Sequence, residues 1–566
     1  MLRLTIALFI SMALFAQTDP NSQPPGQIIG HVQNAVTGDP VTGAQVRLIQ
    51  FSPISVIRSS GQHIVSSQPD GSFIFDNVAP GMYGLVASAP SFSPGHYKAN
   101  GSSNSMDSLT VQPGAQVAGL VVALQPYANL TGRVIDDTGQ PVPHAQVRTF
   151  ISVLLRGKTQ LEPRTIANAN NAGQFELKGV PSGKIYIVAS PAPQVPAANP
   201  PLATSPAPET KLSLVSTFYP DSLDLANAVA LDVHSGQDQG DIDVHMKRAA
   251  TYHIRGKVKV AVSSDTKLVM EVSPRGGPVS YSPGQGTTVG LDGQFDIGDL
   301  IPGTYTLRLM ESGSSGNVSR FSPAQHILSR QDVTIAAGDV NGLALAETPP
   351  VTLTWHARSE DDETANLSNV MISLLSWDDP PTNAAPAMSM SRDGSRTITV
   401  DAGHYIIHVG GVPPGSYISS LQINQTDALN KVVDLSQGGA GQVDIVFRKG
   451  LAELDGSLVS NDSSAPRAAT IILVPESLAP DGSNLMMRGT GRNSAFSFTN
   501  VPPGRYTAFA VEQFNYNAWQ NPSFIASLQG RGVSVDLDEK DRKRIELSVI
   551  SSSDLLQAMA QMGLEE

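Results

Sequence analysis

The chain has 566 residues, of which 40% are hydrophobic and 15% are charged, a length that suggests about four domains. A net charge of -13 argues against nucleic acid or an anionic membrane surface as the main partner. The sequence contains no cysteine, which excludes disulfide bonds, a lipid-anchored lipoprotein and cysteine-ligated metal sites. Each domain must therefore be stabilised by its own apolar core.

The first residues have the layout of a secretory signal peptide. Met1-Leu2-Arg3 precede an apolar run of about 12 residues, shorter than the roughly 20 needed to span a bilayer. We predict a signal peptide over 1–16, with cleavage near Ala16, and a flexible leader over 17–26. No later stretch is long and apolar enough to span. The chain is expected to be exported, periplasmic or extracellular, and soluble without a membrane span after signal removal.

A two-strand motif recurs five times along the chain. Its first copy, Asp70–Ala87, has two alternating apolar runs around a Pro-Gly pair, a pattern that predicts two strands joined by a tight turn. The other copies are Gly173–Ala189, Asp292–Leu309, His404–Leu421 and Ser494–Val511. Successive motif glycines are 102, 120, 112 and 89 residues apart, which fits β-sandwich domains of roughly 100 residues rather than a solenoid. We predict independent modules in a row, each with its own core.

The turn of this motif has a physical rationale. Proline presets φ at the second turn position and glycine allows the positive φ that a type II turn requires at the third, as at Pro80-Gly81. An aromatic residue follows two positions later, namely Tyr83, Tyr305, Tyr417 or Tyr506, with Ile185 in the second copy. We predict that each ring covers the end of a core while its hydroxyl bonds the backbone, and the alternative is a ligand platform.

The first two modules also open alike. Ile28–Leu48 and Leu130–Arg148 share the spacing G-x-V-x-(4 or 5)-G-x-P-V-x-x-A-x-V, in which Gly30 aligns with Gly132. This opening, joined to D-G-x-F-x-F-x-x-V-x-P-G-x-Y, resembles the carboxypeptidase regulatory-like domain. The resemblance implies a transthyretin-like (prealbumin-like) β-sandwich of about seven strands with a non-catalytic accessory role. Such domains occur beside metallocarboxypeptidases, at the start of outer-membrane receptors and in long exported bacterial proteins.

The expected fold class is all-β, a tandem array of about five transthyretin-like or immunoglobulin-like β-sandwich modules joined by short linkers, with a short C-terminal helix. The predicted bounds are 27–125 for module 1, 127–247 for module 2, 250–346 for module 3, 349–448 for module 4, 450–550 for module 5 and 551–566 for an amphipathic tail. Module 4 is a degenerate copy, because its opener Val351–Leu375 lacks the glycine. Fibronectin type III modules are an alternative fold. Three tryptophans are too few to give each of five modules its own core tryptophan, which argues against that fold.

Three segments depart from the repeat. A proline-rich insertion, 191–208, predicts an extended loop in module 2. The stretch Tyr516–Gly532 predicts a loop and a helical turn over one end of module 5. In the tail, Leu555, Met559 and Met562 fall at helical spacing after a serine-rich start. We expect a short helix that docks on module 5 or on a partner, or that frays.

The sequence contains no recognisable catalytic constellation. Its 11 histidines form no HExxH or HxxE arrangement, and His404 and His408, four apart on a predicted strand, lie some 13 Å apart, too far to share a metal. No nucleophile elbow or phosphate-binding loop stands in the required context. We therefore predict no catalytic, cofactor-binding or metal residue and no cofactor.

One ligand rim is a candidate, formed by Phe514, Tyr516 and Trp519 in the loop-like stretch of module 5. The alternative is that these residues plug the sandwich. The leading hypothesis is a non-catalytic exported scaffold, protein-interaction or adhesion protein of the cell envelope, with an unknown protein or glycan partner. Alternatives are a carbohydrate-binding protein that uses loop aromatics and an unrecognised hydrolase. Partner identity and oligomeric state stay open.

Overall fold

The computed structural model describes residues 24–51, 63–98, 109–192, 211–260, 267–275, 287–312, 326–378, 387–388, 396–459, 469–490, 494–512 and 517–562. These residues lie mostly in β-strands, together with helices α1 (Pro522–Ser527) and α2 (Ser552–Gln561), so the all-β fold class and the short C-terminal helix are confirmed. The chain divides into two compact units, Met1–Tyr127 and Ala128–Glu566. The signal peptide, most of the leader, and most of the proline-rich insertion lie outside the described residues.

Module 1, in the first unit, is a two-sheet sandwich. Its strands are β1 (Gly26–Asn34), β2 (Gln45–Phe51), β3 (His63–Ser66), β4 (Ser72–Val78), β5 (Gly81–Ser88), β6 (Gly95–His96), β7 (Leu109–Val111) and β8 (Gln116–Leu124). In the order β4-β1-β8, strand β1 is antiparallel to β4 and parallel to β8. The facing sheet has the order β3-β2-β5-β6, and β7 also pairs with β5. Ile28, Phe73 and Leu85 fill the core between the sheets.

Modules 2 and 3 repeat this topology. Module 2 contains β9 (Ala128–Asp136), β10 (Gln146–Leu155), β11 (Lys158–Asn168), β12 (Gln174–Val180), β13 (Gly183–Ser190), β14 (Lys211–Leu214), β15 (Thr217–Phe218), β16 (Leu231–Val233) and β17 (Gln239–Met246). Module 3 contains β18 (Arg248–Lys259), β19 (Lys267–Pro274), β20 (Thr287–Thr288), β21 (Gln294–Leu300), β22 (Gly303–Ser312), β23 (Ile327–Ile335) and β24 (Val340–Ala346). In each, the first long strand lies between an antiparallel neighbour and the parallel closing strand.

Modules 4 and 5 complete the second unit. Module 4 contains β25 (Val351–Ser359), β26 (Met371–Ser376), β27 (Ala387–Met388), β28 (Thr397–Val400), β29 (His404–Gly410), β30 (Ser416–Ile423), β31 (Thr426–Asp427), β32 (Val432–Asp434) and β33 (Gly439–Lys449). Module 5 contains β34 (Ala452–Val459), β35 (Thr470–Pro475), β36 (Met486–Gly489), β37 (Ala495–Val501), β38 (Gly504–Val511), β39 (Val533–Leu537) and β40 (Arg542–Ile550). Each of the five modules has its own hydrophobic core, as predicted.

The glycine of the opening strand is required by a close approach of two strands. A Cβ on Gly30 would lie 2.6 Å from the carbonyl oxygen of Leu120 in β8. The corresponding glycines of the other modules with this motif, Gly132, Gly256 and Gly456, meet the carbonyl oxygens of Ile242, Leu343 and Ile545 in the same way. Backbone atoms cannot move aside as a flexible side chain can, so the parallel pairing of the first and last strands selects glycine.

The expected turn geometry is only partly correct. Gly183 and Gly504 adopt positive φ, but Gly81 and Gly303 do not. A left-handed residue instead occurs four positions before the motif glycine, at Asn77, Gly179, Asp299 and Asn500, with φ between 57° and 70°. In each module this residue lies in a β-bulge, where the strand gains one residue relative to the opening strand. Glycine, asparagine and aspartate tolerate left-handed backbone best, which explains the residue types.

The motif tyrosines behave as predicted in three modules. Tyr83, Tyr305 and Tyr506 are buried, and each hydroxyl donates to the carbonyl oxygen four residues earlier, at 2.8, 2.8 and 2.6 Å. The ring therefore closes one end of the core while its polar atom is satisfied.

The copy proposed for module 4 was misplaced. The equivalent residue is Tyr405, whose hydroxyl donates to Asp401 O at 2.7 Å, and the equivalent glycine is Gly403. Tyr417 follows a Pro-Gly pair that leads into the additional strand β30, and its hydroxyl donates to Glu539 of module 5 at 3.2 Å. Strand β28 lacks the bulge of the other copies, so the motif in module 4 is one residue shorter. The sequence comparison therefore aligned the Pro-Gly-x-Tyr sequence that ends at Tyr417 in its place.

Module 4 also replaces the glycine of its opening strand. Trp355 stands at that position, and Arg396 stands where the other modules carry phenylalanine. The Arg396 guanidinium lies 4.9 Å from the centre of the Trp355 ring, and Trp355 is buried in the module core. The large ring has moved from one strand to its neighbour, which explains why the opener of a true β-sandwich looked degenerate.

Candidate functional site

The outer face of module 4 is covered although it points away from that module's core. On β29, Tyr405 and Ile407 enter the core, whereas His404, Ile406 and His408 point to the opposite side. Ile406 is nevertheless only 1% exposed. We call this side of β29, together with residues 376–378 at the end of β26, the hub face. Modules 2, 3 and 5 each have a contact on or directly beside it.

The contact from module 2 is made by the β10–β11 hairpin. Its tip is Arg156-Gly157, and both residues have positive φ (52° and 68°), the geometry of a tight two-residue hairpin turn. The Arg156 guanidinium stacks 4.4 Å from the centre of the Trp377 ring, and its Nη2 donates to Ser376 O at 3.0 Å. Module 2 thereby contacts module 4 although module 3 separates them along the chain.

The same hairpin reaches module 5. The side-chain amide of Asn521, which also caps α1, donates to Gly157 O at 2.7 Å. A Cβ on Gly157 would lie 2.8 Å from the Asn521 backbone nitrogen, so the tip accepts only glycine. Leu154, 3% exposed, enters a hydrophobic cluster that otherwise belongs to module 5. One hairpin therefore connects three modules.

That cluster contains one residue of the predicted ligand rim. Trp519 is 1% exposed and packs edge-on against Phe509 and Phe524, with ring centroids 5.2 and 5.6 Å away. An indole enclosed in this way offers no face to a sugar. Trp519 covers the outer face of β35 and β38, because Phe509 and Ile472 of its cluster alternate with residues of the module 5 core. Phe514 and Tyr516 lie outside the described residues, and the rim formed by them is a prediction. The tail helix α2 closes the same cluster through Leu555 and Met559, so it docks on module 5.

The contact between modules 4 and 5 centres on a histidine and an aspartate. His408 Nε2 lies 2.6 Å from Asp481 Oδ2, and the Asp481 side chain is 10% exposed. The side-chain amide of Gln520 donates to Asp481 O at 2.7 Å. Burial alone would raise the pKa of Asp481, but the hydrogen bond and charge of His408, with the hydrogen bonds of Ser483, bring that pKa below its usual range. The carboxylate is therefore ionised at neutral pH.

Aspartates also join modules 3 and 4. Asp378, with a side chain 6% exposed, forms an ion pair with Arg330 of module 3, with Nη1 3.0 Å from Oδ1, and lies 2.9 Å from His404 Nδ1. Beside it, Asp401 lies 3.1 Å from His326 Nδ1 of module 3 and accepts the Ile327 amide at 2.9 Å. His404 and His408 thus bind different carboxylates at opposite ends of β29.

Modules 2 and 3 are joined by backbone pairing as well as by charge. Strand β14 of module 2 pairs antiparallel with the first residues of β18, and Arg248 binds Asp136, with Nη2 2.8 Å from Oδ2, as well as Asp137. Every neighbouring pair of modules in the second unit therefore shares specific contacts. The expectation of independent modules in a row is wrong for modules 2 to 5.

Sequence reasoning missed these residues because each pair joins distant positions. Arg156-Gly157 between two alternating runs does predict a hairpin tip. Neither the acceptor of that tip nor the partners of His408 and Arg330 has a local signature.

Chemistry beyond packing was also sought among the described residues. They include no group of three or more His, Cys, Asp or Glu side chains placed to hold a metal ion. Within the same ranges, no helix combines the length and the hydropathy needed to cross a membrane.

Fold and contacts together define a class of protein built from tandem β-sandwich modules, four of which pack into one unit. Residues 27–125 match the carboxypeptidase regulatory-like domain, and module 1 is a domain of that family. The match covers module 1, one of the two modules, 27–125 and 127–247, on which the sequence resemblance rests. No curated protein matches the chain.

Several solved structures are similar to parts of the chain. The TIE protein of Bacillus anthracis is 13% identical, over 75% of this chain and 74% of that protein, with a TM-score of 0.16. The minor pilin GBS52 of Streptococcus agalactiae is 11% identical, over 40% of this chain and 96% of the pilin, with a TM-score of 0.23. The major pilin subunit BcpA of Bacillus cereus is 10% identical, over 57% and 99%, with a TM-score of 0.15. Scores this low carry no argument about function.

Proposed function

We propose that this chain is a non-catalytic scaffold or protein-interaction protein of the cell envelope, exported and soluble after removal of a signal peptide. The observation that carries the proposal is the β10–β11 hairpin, which connects modules 2, 4 and 5 through Arg156, Gly157 and Leu154. A unit that fixes modules 2 to 5 against one another maintains a constant outer surface on those modules. A scaffold needs such a surface, because rigid presentation lowers the entropy lost when a partner binds.

The polar side chains at the junctions support the same proposal. Asp378, Asp481 and Arg156 are all engaged in contacts between modules or beside them. Catalytic groups typically stand in an accessible cleft with perturbed pKa values and room for a substrate. Here the buried charges pair with each other and hold modules together.

The test uses cells that export the full chain. A membrane-impermeant cross-linker is applied to intact cells, and products that contain the chain are identified by mass spectrometry. We expect cross-links to defined envelope components, and we expect fewer of them with Arg156→Ala, which loosens the surface. Purified wild-type protein is assayed in parallel with ester, peptide and glycoside substrates. Turnover that exceeds a heat-denatured control, or cross-links only within the chain, would contradict the proposal.

A further inference from the structure

Histidines are concentrated where module 4 meets its neighbours. Two of them, His326 and His408, lie 3.1 and 2.6 Å from an aspartate oxygen of the neighbouring module, and His404 lies 2.9 Å from Asp378 of its own module. Two of the three aspartates, Asp378 and Asp481, have side chains no more than 10% exposed. A buried carboxylate is stabilised far more by a cation than by a neutral donor. The charge on His326 and on His408 therefore affects the junction that each of these histidines crosses.

We propose that the joints on either side of module 4 respond to pH, because protonated histidines hold modules 3, 4 and 5 together and deprotonation loosens these contacts. Histidine is the side chain whose ordinary pKa falls between about pH 5 and pH 8. As pH rises through that range, each imidazolium–carboxylate pair becomes a hydrogen bond between a neutral ring and a carboxylate. The inference goes beyond the scaffold proposal and holds whatever partner the chain has.

The groups that surround each histidine give the sign of the effect. His408 faces Asp481 of module 5, and His326 faces Asp401 of module 4. His404 lies between Asp378 and Asp434, at 2.9 and 3.7 Å. His404 pairs with carboxylates of its own module, and the Arg330 guanidinium lies 3.0 Å from the same Asp378 oxygen, so the His404 charge is not what joins modules 3 and 4. His326 and His408 each face a carboxylate across a joint, and such a pair is stronger when the ring is protonated, so opening becomes easier as pH rises.

The two joints differ in how much remains at high pH. Arg330 stays charged at high pH and remains paired with Asp378, so the joint between modules 3 and 4 retains this ion pair. Among the described residues, the other charged pair between modules 4 and 5 is Arg448 with Glu539, in which both side chains are 40% exposed and open to screening by salt. We expect the joint between modules 4 and 5 to be the more sensitive one.

The experiment measures the distance between modules 4 and 5 in the full chain. Because the sequence contains no cysteine, two spin labels can be placed by Gln437→Cys and Arg488→Cys, both at exposed positions. Distance distributions are recorded by pulsed electron paramagnetic resonance at about pH 5.5 and about pH 8. We expect the population of longer distances to rise about fivefold, the difference expected between a charge-assisted and a neutral hydrogen bond.

Two variants of the labelled chain make the test specific. His408→Gln keeps a donor for Asp481 without a titratable charge, and we expect its distances to be independent of pH. His356→Gln is the matched control, because His356 lies in the same module, 3.9 Å from Asp444, with both side chains exposed. This control should keep the wild-type response. If His408→Gln fails to fold by circular dichroism, the wild-type titration alone decides the question.

Three results would overturn the proposal. The first is a wild-type distribution that does not change between the two pH values. The second is opening as pH falls across this range. The third is a response that His408→Gln retains or that His356→Gln abolishes.

Discussion

Contacts of single backbone oxygen atoms explain two of the residues that recur in the modules. The hydroxyl of Tyr506 closes one end of module 5 by donating to Pro502 O, and burial raises its pKa to about 12, so the hydroxyl keeps its proton at physiological pH. Glycine in the opening strand is selected by a carbonyl oxygen of the closing strand. Both requirements are local consequences of one sandwich geometry, which is why they recur along the chain.

Replacing Tyr506 with phenylalanine removes this hydrogen bond and leaves the ring in place. We expect Tyr506→Phe to lower the free energy of unfolding of module 5 by about 1 kcal/mol. Urea unfolding followed by far-ultraviolet circular dichroism measures the change. Tyr417→Phe is the control, because its hydroxyl binds Glu539 near the surface, and a smaller loss is expected. An equal loss in both variants would contradict the core role of Tyr506.

The opening glycine gives a second prediction at this scale. A methyl group on Gly132 would collide with the carbonyl of Ile242 in β17, so Gly132→Ala should destabilise module 2 by about 3 kcal/mol. Gly240→Ala serves as control, since its Cβ would meet only the Thr131 hydroxyl at 3.4 Å. The urea midpoints of the two variants are compared with that of the wild type. Similar midpoints for both variants would show that the strands can separate.

At the scale of elements, strands acquire a second role where modules meet. Strand β29 gives Tyr405 and Ile407 to its own core and His404 and His408 to contacts at its ends. Hairpin β10–β11 is longer than its module needs and ends on modules 4 and 5. The alternation of a strand makes this possible, because successive side chains point to opposite faces.

Helix α2 offers a matched pair of neighbouring leucines. Leu555 is 5% exposed in the cluster around Trp519, whereas Leu556 is 58% exposed. We expect Leu555→Ala to cost about 3 kcal/mol of stability, because it leaves a cavity, and Leu556→Ala to cost less than about 0.5 kcal/mol. Hydrogen exchange across 552–561 reports whether the helix stays docked. Equal protection in the two variants would mean that α2 does not need this contact.

At the scale of the second unit, modules 2 to 5 are connected in more than sequence order. Chain neighbours share charged pairs, and the Arg156 hairpin adds contacts between module 2 and modules 4 and 5. Contacts between residues so far apart in the chain constrain every joint between them. Breaking one of these contacts therefore weakens the constraint on more than one joint.

Arg156→Ala tests this connection. Loss of the stacked cation and of the hydrogen bond to Ser376 should make the closed arrangement of the modules less stable, relative to the open one, by about 2 kcal/mol. Spin labels introduced by Lys158→Cys and Ser523→Cys, at exposed positions of modules 2 and 5, should then show longer and broader distances. Arg164→Ala is the control, because Arg164 pairs with Glu162 on its own strand. An unchanged distribution in Arg156→Ala would show that the hairpin does not hold the modules together.

The sequence by itself determined the repeated unit. Interactions within roughly 100 residues select the alternating apolar residues, the opening glycines and the buried Tyr83, Tyr305 and Tyr506. The same residue types therefore recur from module to module. The same local reading placed the module 4 motif at Tyr417 instead of Tyr405, because a Pro-Gly-x-Tyr spelling recurs there in another strand.

Only the tertiary structure decided how the modules are joined. Arg156 stacks on Trp377 from a hairpin two modules earlier in the chain, and His408 contacts Asp481 across a junction. Such pairs depend on the angles between modules, and those angles follow from many weak contacts that leave no periodic trace in the sequence. The tertiary structure likewise shows that Trp519, predicted on a ligand rim, is buried against the outer face of a sheet, since exposure is a property of the packed chain.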